Sequence, residues 1–164
     1  MANDNLVNYL NDHLAGSVSA LELLDRLIEN YEGKPLERFF RNLRADVQED
    51  QKKLEDLIHK VGEEESVVRK AGAWVMEKLS RAKIRLSESE EGDMGLFLAL
   101  EALALGITGK RALWRALASA SETVPSLAGL NYAELETRAV EQADRVEAER
   151  LEAARKVFKS ERNI

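Results

Sequence analysis

From Val7 to Val61, apolar residues return every third or fourth position, with one interruption at Gly33-Lys34-Pro35. The first run is carried by Val7, Leu10, Leu14, Leu21, Leu24 and Ile28, with Ser17 and Tyr31 completing the spacing. The second is carried by Leu36, Phe39 or Phe40, Leu43, Val47, Leu54, Leu57 and Val61, with Asp50 in its middle. This period belongs to one face of an α-helix; the alternation of a strand cannot produce it. Stripes this long are buried only against other helices. Gly33 suits the left-handed residue that closes a helix, and Pro35 suits the first turn of the next. The pattern predicts helices over 5–31 and 35–60, joined by a tight turn as antiparallel neighbours.

Three more helical segments follow. Over 66–86 a stripe of Val68, Gly72, Val75, Leu79, Ala82 and Leu86 lies between the acidic turns GEEES and SESEEGD. It reads as an amphipathic helix inside a crossover connection. The segment 94–121 is apolar on more than one side: Leu96, Leu100, Leu103, Ile107, Trp114 and Leu117 share a stripe, while Leu98 and Leu105 fall roughly opposite. A helix apolar all round calls for cover all round. The stretch 122–131, with Pro125 and Gly129, is a loop that ends in Asn131, a natural N-cap for a last helix over 132–159.

The function classes that remain are narrowed by charge and residue usage. A net charge of −6 and a pI near 5.2 argue against a nucleic-acid partner. The absence of cysteine removes disulfides, thiolate metal sites and a thiol nucleophile. The longest apolar run, 94–107, is too short to span a bilayer and contains Glu101, and the N-terminus MANDNLVNYLND lacks the features of a secretion signal. The expectation is a cytoplasmic, all-α single domain that binds neither membrane nor nucleic acid. GITGKR, residues 106–111, lacks the spacing of a phosphate loop, and its glycines suit close helix packing. His59 stands at a helix C-terminus, where a cation is favoured, and His13 lies beside the first stripe as a partly buried histidine. Glu101 falls on a flank of its helix rather than on the central seam.

Two helical hairpins separated by residues 62–91 resemble the ferritin-like superfamily, an antiparallel four-helix bundle with one long crossover. Metal-binding members place a Glu on two helices and Glu-x-x-His on the other two, all pointing inward. The corresponding mid-bundle positions here are Ser17, Val47 with Asp50, Ile107, and Glu147 with Arg150. Only Glu147 matches the pattern, so the resemblance implies a bundle whose di-metal ligands are lost. Two charges, Asp50 and Arg150, fall on apolar stripes. They are expected either to pair with each other across the bundle or to reach solvent at its edge.

The resulting expectation is a non-catalytic bundle, without metal or cofactor, that acts through protein contacts. It would form a homodimer, with an unidentified protein partner also open, through a region including Trp74, Leu98, Leu105 and Trp114. Two alternatives stand beside it. One is a di-metal carboxylate enzyme or storage protein drawing on Glu22, Asp46, Glu49, Asp50, Glu147 and His13; the other is a bundle that binds an apolar small molecule in its core.

Overall fold

The structure, a computed structural model, describes residues 4–62 and 92–159. They form four long α-helices: α1 (Asp4–Asn30), α2 (Pro35–Val61), α3 (Asp93–Ala120) and α4 (Tyr132–Val157). A short 3-10 turn, Pro125–Leu127, precedes α4, and no strand occurs among the described residues. None of the described helices is long and apolar enough to cross a membrane. The crossover helix expected over 66–86, and Trp74 within it, lie outside the described residues.

The helix ends follow local chemistry. Gly33 closes the turn after α1 with φ +73°, a conformation that a Cβ disfavours, and Glu37 reaches back to accept from its N–H at 2.8 Å. Pro35 occupies the first turn of α2, where its missing N–H costs nothing. Asn131 caps α4 by accepting from the Glu134 N–H at 3.1 Å.

Cross-helix contacts give the order of packing. Arg44 on α2 bonds Asp25 on α1, and further along α2 Gln51 bonds Ser17 at 2.9 Å, so partner numbers fall on α1 as they rise on α2. The same relation holds for α3 and α4, where Arg111 meets Glu136 at 3.2 Å and Phe97 meets Phe158 with ring centroids 5.4 Å apart. Between the hairpins, Asp46 pairs with Arg145, and Asp50 with Arg138. At one end Lys60 donates to the Ala128 carbonyl at 2.7 Å, and Leu127 plugs the core fully buried.

The core contains the expected stripe of α3, with Leu96, Leu100, Leu103, Ile107, Trp114 and Leu117 all buried, while Leu98 and Leu105 face outward. Trp114 was expected at an interface; at 1% exposure it is instead a core residue, because its position repeats the inward spacing of Leu103 and Ile107. On α1 the buried set includes Ala15, Leu23 and Leu27, which shifts the inward face partly off the stripe expected there: Leu14, Ser17 and Leu21 are only half-buried. Phe40 is fully buried and packs edge-on to Tyr31 and Phe39, at 5.7 and 5.4 Å between centroids. Phe40→Ala is expected to destabilise the fold by about 3–5 kcal/mol, measured by urea denaturation followed by circular dichroism.

Candidate functional site

Asp50 is 2% exposed, on the inward face of α2. A carboxylate in that place must find donors or lose its charge. It finds three: Lys110 Nζ on α3 donates to Oδ2 at 2.8 Å, Gln142 Nε2 on α4 to the same oxygen at 2.8 Å, and Arg138 Nε to Oδ1 at 2.9 Å. The Gln142 carbonyl in turn accepts from Lys110, which closes the network. Arg138 and Gln142 are one turn apart on α4 and therefore share a face. Arg138 also stands 3.2 Å from Glu49, which links the clasp to the surface.

The electrostatics follow from this geometry. Burial pushes the Asp50 carboxyl up, but the Lys110 charge, the bonds from Lys110 and Gln142, and the Arg138 charge together hold it below its ordinary range. Burial pushes the Lys110 ammonium down, and Asp50 only partly restores it.

Asp50 and Arg150 do not pair. Arg150 bonds Glu147, one turn away on its own helix, at 2.7 and 2.8 Å, and its guanidinium lies 5.8 Å from the Phe97 ring. The reason is register. Arg150 lies eight residues beyond Gln142 on α4, about 12 Å along the axis at roughly 1.5 Å per residue. The residues that meet Asp50 sit at the matching level: Asp50 lies 11 residues before the end of α2 at Val61, and Arg138 and Gln142 lie 6 and 10 residues after the start of α4 at Tyr132. Lys110 sits in the GITGKR stretch and gave no cue beyond its closeness to the α3 stripe.

Beside the clasp lies a cavity of about 460 Å³ between α1, α2 and α3. Its α1 wall includes His13, Gly16, Ser17 and Ala20, its α2 wall Val47, Asp50 and Leu54, and its α3 wall Leu103, Gly106, Ile107 and Trp114. Space is left because small residues stand where larger ones would fill it: a Cβ added at Gly16 or Gly106 would meet nothing within 4 Å. Polar groups are few. Ser17 and Gln51 bond each other, and the His13 ring rests edge-on against Tyr9 at 4.8 Å. Burial lowers the pKa of His13 against the opposing pull of Asp12, so its imidazole is neutral at neutral pH.

Four of the six positions matched in sequence to family metal ligands, Ser17, Val47, Asp50 and Ile107, line this cavity; Glu147 and Arg150 do not. These residues do not fit a di-metal centre. Val47 and Ile107 offer no donor atoms, and both Asp50 oxygens already accept from cations or amide. The wider acidic set is also dispersed, with Asp46 turned to Arg145, Glu49 to Arg138 and Glu147 to Arg150. Among the described residues, no group of three or more His, Asp or Glu side chains is placed to hold a metal ion.

Compared with protein-family models, curated proteins and solved structures, the chain finds no match in any of the three.

Two outcomes are expected at the clasp. Asp50→Ala removes the carboxylate that answers the half-buried Lys110 and leaves Arg138 with Glu49 alone, and is expected to cost about 3 kcal/mol by denaturant titration. A double-mutant cycle should give non-additive effects for Asp50 with Lys110 and additive effects, within about 0.5 kcal/mol, for Asp50 with Arg150. The second outcome concerns pH. The folded-state pKa of Asp50 is depressed, so its contribution is present above the unfolded carboxyl value and is lost as pH falls through the lower folded one. Melting temperature should therefore fall on acidification below about pH 4, and this loss should be smaller in Asp50→Asn.

Proposed function

We propose that the chain is a ferritin-like bundle, antiparallel and with a long crossover, whose centre binds an apolar small molecule in place of metal ions. The observation that carries this reading is the coincidence of the roughly 460 Å³ cavity with Ser17, Val47, Asp50 and Ile107, the ligand positions of the metal-binding fold. The volume lies within the range of about 300–1,000 Å³ that suits small-molecule pockets. The falling partner numbers within each hairpin support the antiparallel order.

The crossover is supported by the positions of the helix ends. α2 finishes beside Ala128, whereas Asp93 at the start of α3 is close enough to Tyr31 to raise its pKa, second to burial. The end of α2 and the start of α3 thus lie at opposite ends of helices about 40 Å long, which is the placement a crossover requires.

The cavity walls select a ligand that is mainly apolar and has one hydrogen-bonding group. The neutral His13 ring, which lines the cavity and carries one donor and one acceptor nitrogen, would take that group. The Asp50 carboxylate in the cavity wall already accepts from Lys110, Gln142 and Arg138 and has no need of a ligand cation.

The test uses anilinonaphthalene sulfonate as an apolar probe, titrated by fluorescence, together with Gly16→Leu. Saturable binding to one site per chain is expected for the wild type. The leucine would occupy the cavity and abolish binding, and removing a mid-helix glycine should raise stability by about 0.5–1 kcal/mol. Unchanged probe affinity in a folded Gly16→Leu protein would sink the proposal.

A further inference from the structure

The solvent side of α3 differs from that of the other helices. Outward faces of α2 and α4 carry ion pairs such as Lys52 with Asp56 and Arg155 with Glu152. On α3 the residues that follow the exposed leucines at four-three spacing are Leu98, Ala102, Leu105, Gly109, Ala112 and Ala116, and the next step falls on Ser119; of these, Ala102 and the half-buried Gly109 also border the cavity. Leu98 is 47% and Leu105 68% exposed, and a solvent face is normally polar. Along one flank of this stripe stand Glu101, Thr108 and Arg115, seven residues apart. Arg115 is exposed and only loosely paired, 3.7 Å from Glu136.

A seven-residue repeat on a helix surface is a seam for a second helix. This one is complementary to itself in both shape and charge. In an antiparallel pair of α3 helices related by a two-fold axis beside Gly109, Leu105 falls opposite the partner's Ala112, and Leu98 opposite the partner's Ser119. Each large side chain thus meets a small one, as close packing requires. Glycine at the axis leaves room for the two backbones to approach. Antiparallel seams bring the same flank of each helix together, so Glu101 faces the partner's Arg115 and Arg115 faces the partner's Glu101, with Thr108 between them.

We propose that the outward face of α3 is the seam of a homodimer, with two α3 helices packed antiparallel across a two-fold axis at Thr108–Gly109. The partner is a second copy of this chain because the match of leucines to small residues and the reciprocal charge pairs both arise from one sequence applied to itself. A two-fold interface requires that self-complementarity. Ala102 and Gly109 border the cavity as well as the seam, so the dimer is tested on the chain without added ligand.

Sedimentation velocity of the full chain at micromolar concentration should give a species of twice 18.4 kDa. Glu101→Arg alone, and Arg115→Glu alone, place like charges opposite each other at both ends of the seam and should weaken dimerisation about tenfold or more. The double reversal restores opposite charges and should restore the dimer. The chain contains no cysteine, so Thr108→Cys should yield a disulfide-linked dimer under mild oxidation. Far-UV circular dichroism keeps misfolded variants from being read as dissociated ones. A wild-type chain that sediments as an 18.4 kDa monomer overturns the proposal, and so does a dimer that the double reversal fails to restore.

Discussion

The three-donor clasp on Asp50 determines how the two hairpins fit. Leucine and alanine surfaces on long helices are nearly interchangeable from one turn to the next, so apolar burial alone specifies axial position weakly. A slide of one turn, about 5.4 Å, would carry Asp50 away from Lys110, Arg138 and Gln142 and leave a carboxylate and cations without partners inside the protein. Such an arrangement loses far more than a shifted leucine does. The clasp joins α2 to both α3 and α4 and so fixes the hairpins against each other at a single level.

That same clasp explains how the inward face of α2 tolerates a buried carboxylate. In a metal site the charge of the carboxylates is answered by the ion. Here Lys110 and Arg138 supply the positive charge from the protein itself, and Gln142 satisfies the remaining lone pair. The centre is electrostatically complete on its α4 side, and the unfilled volume lies on the other side, where Gly16 and Gly106 withhold side chains.

The fold was more legible in the sequence than the site was. Helix boundaries at Pro35, Asn131 and Gly33 follow from backbone chemistry that acts locally, and the structure places them within a residue or two of the periodic reading. The inward stripe of α3 was legible for the same reason. Asp50 stood out as a misfit on its stripe, but its partners did not, because Gln142 and Lys110 look like ordinary surface residues until the axial register of two helices is known. Arg150 misled for a related reason: its position on a stripe is compatible with burial, whereas Glu147 one turn earlier gives it a nearer partner. Trp114 misled because a tryptophan on a very apolar helix fits either an interface or a core, and only the position of α4 and Tyr132 beside it, 6.5 Å between ring centroids, decides.

Gln142 has a chemical role that size alone does not capture. Its amide nitrogen donates to Asp50 while its oxygen accepts from Lys110, so the side chain has only one workable orientation. Glutamate has the same shape but no donor. In that place it would set two carboxylates against each other between Lys110 and Arg138, with the bond that Gln142 donates to Asp50 lost. A single oxygen-for-nitrogen exchange would thus put a repulsion where the joint now has a hydrogen bond, and an amide hydrolysing slowly with age would make that exchange without any change in the gene.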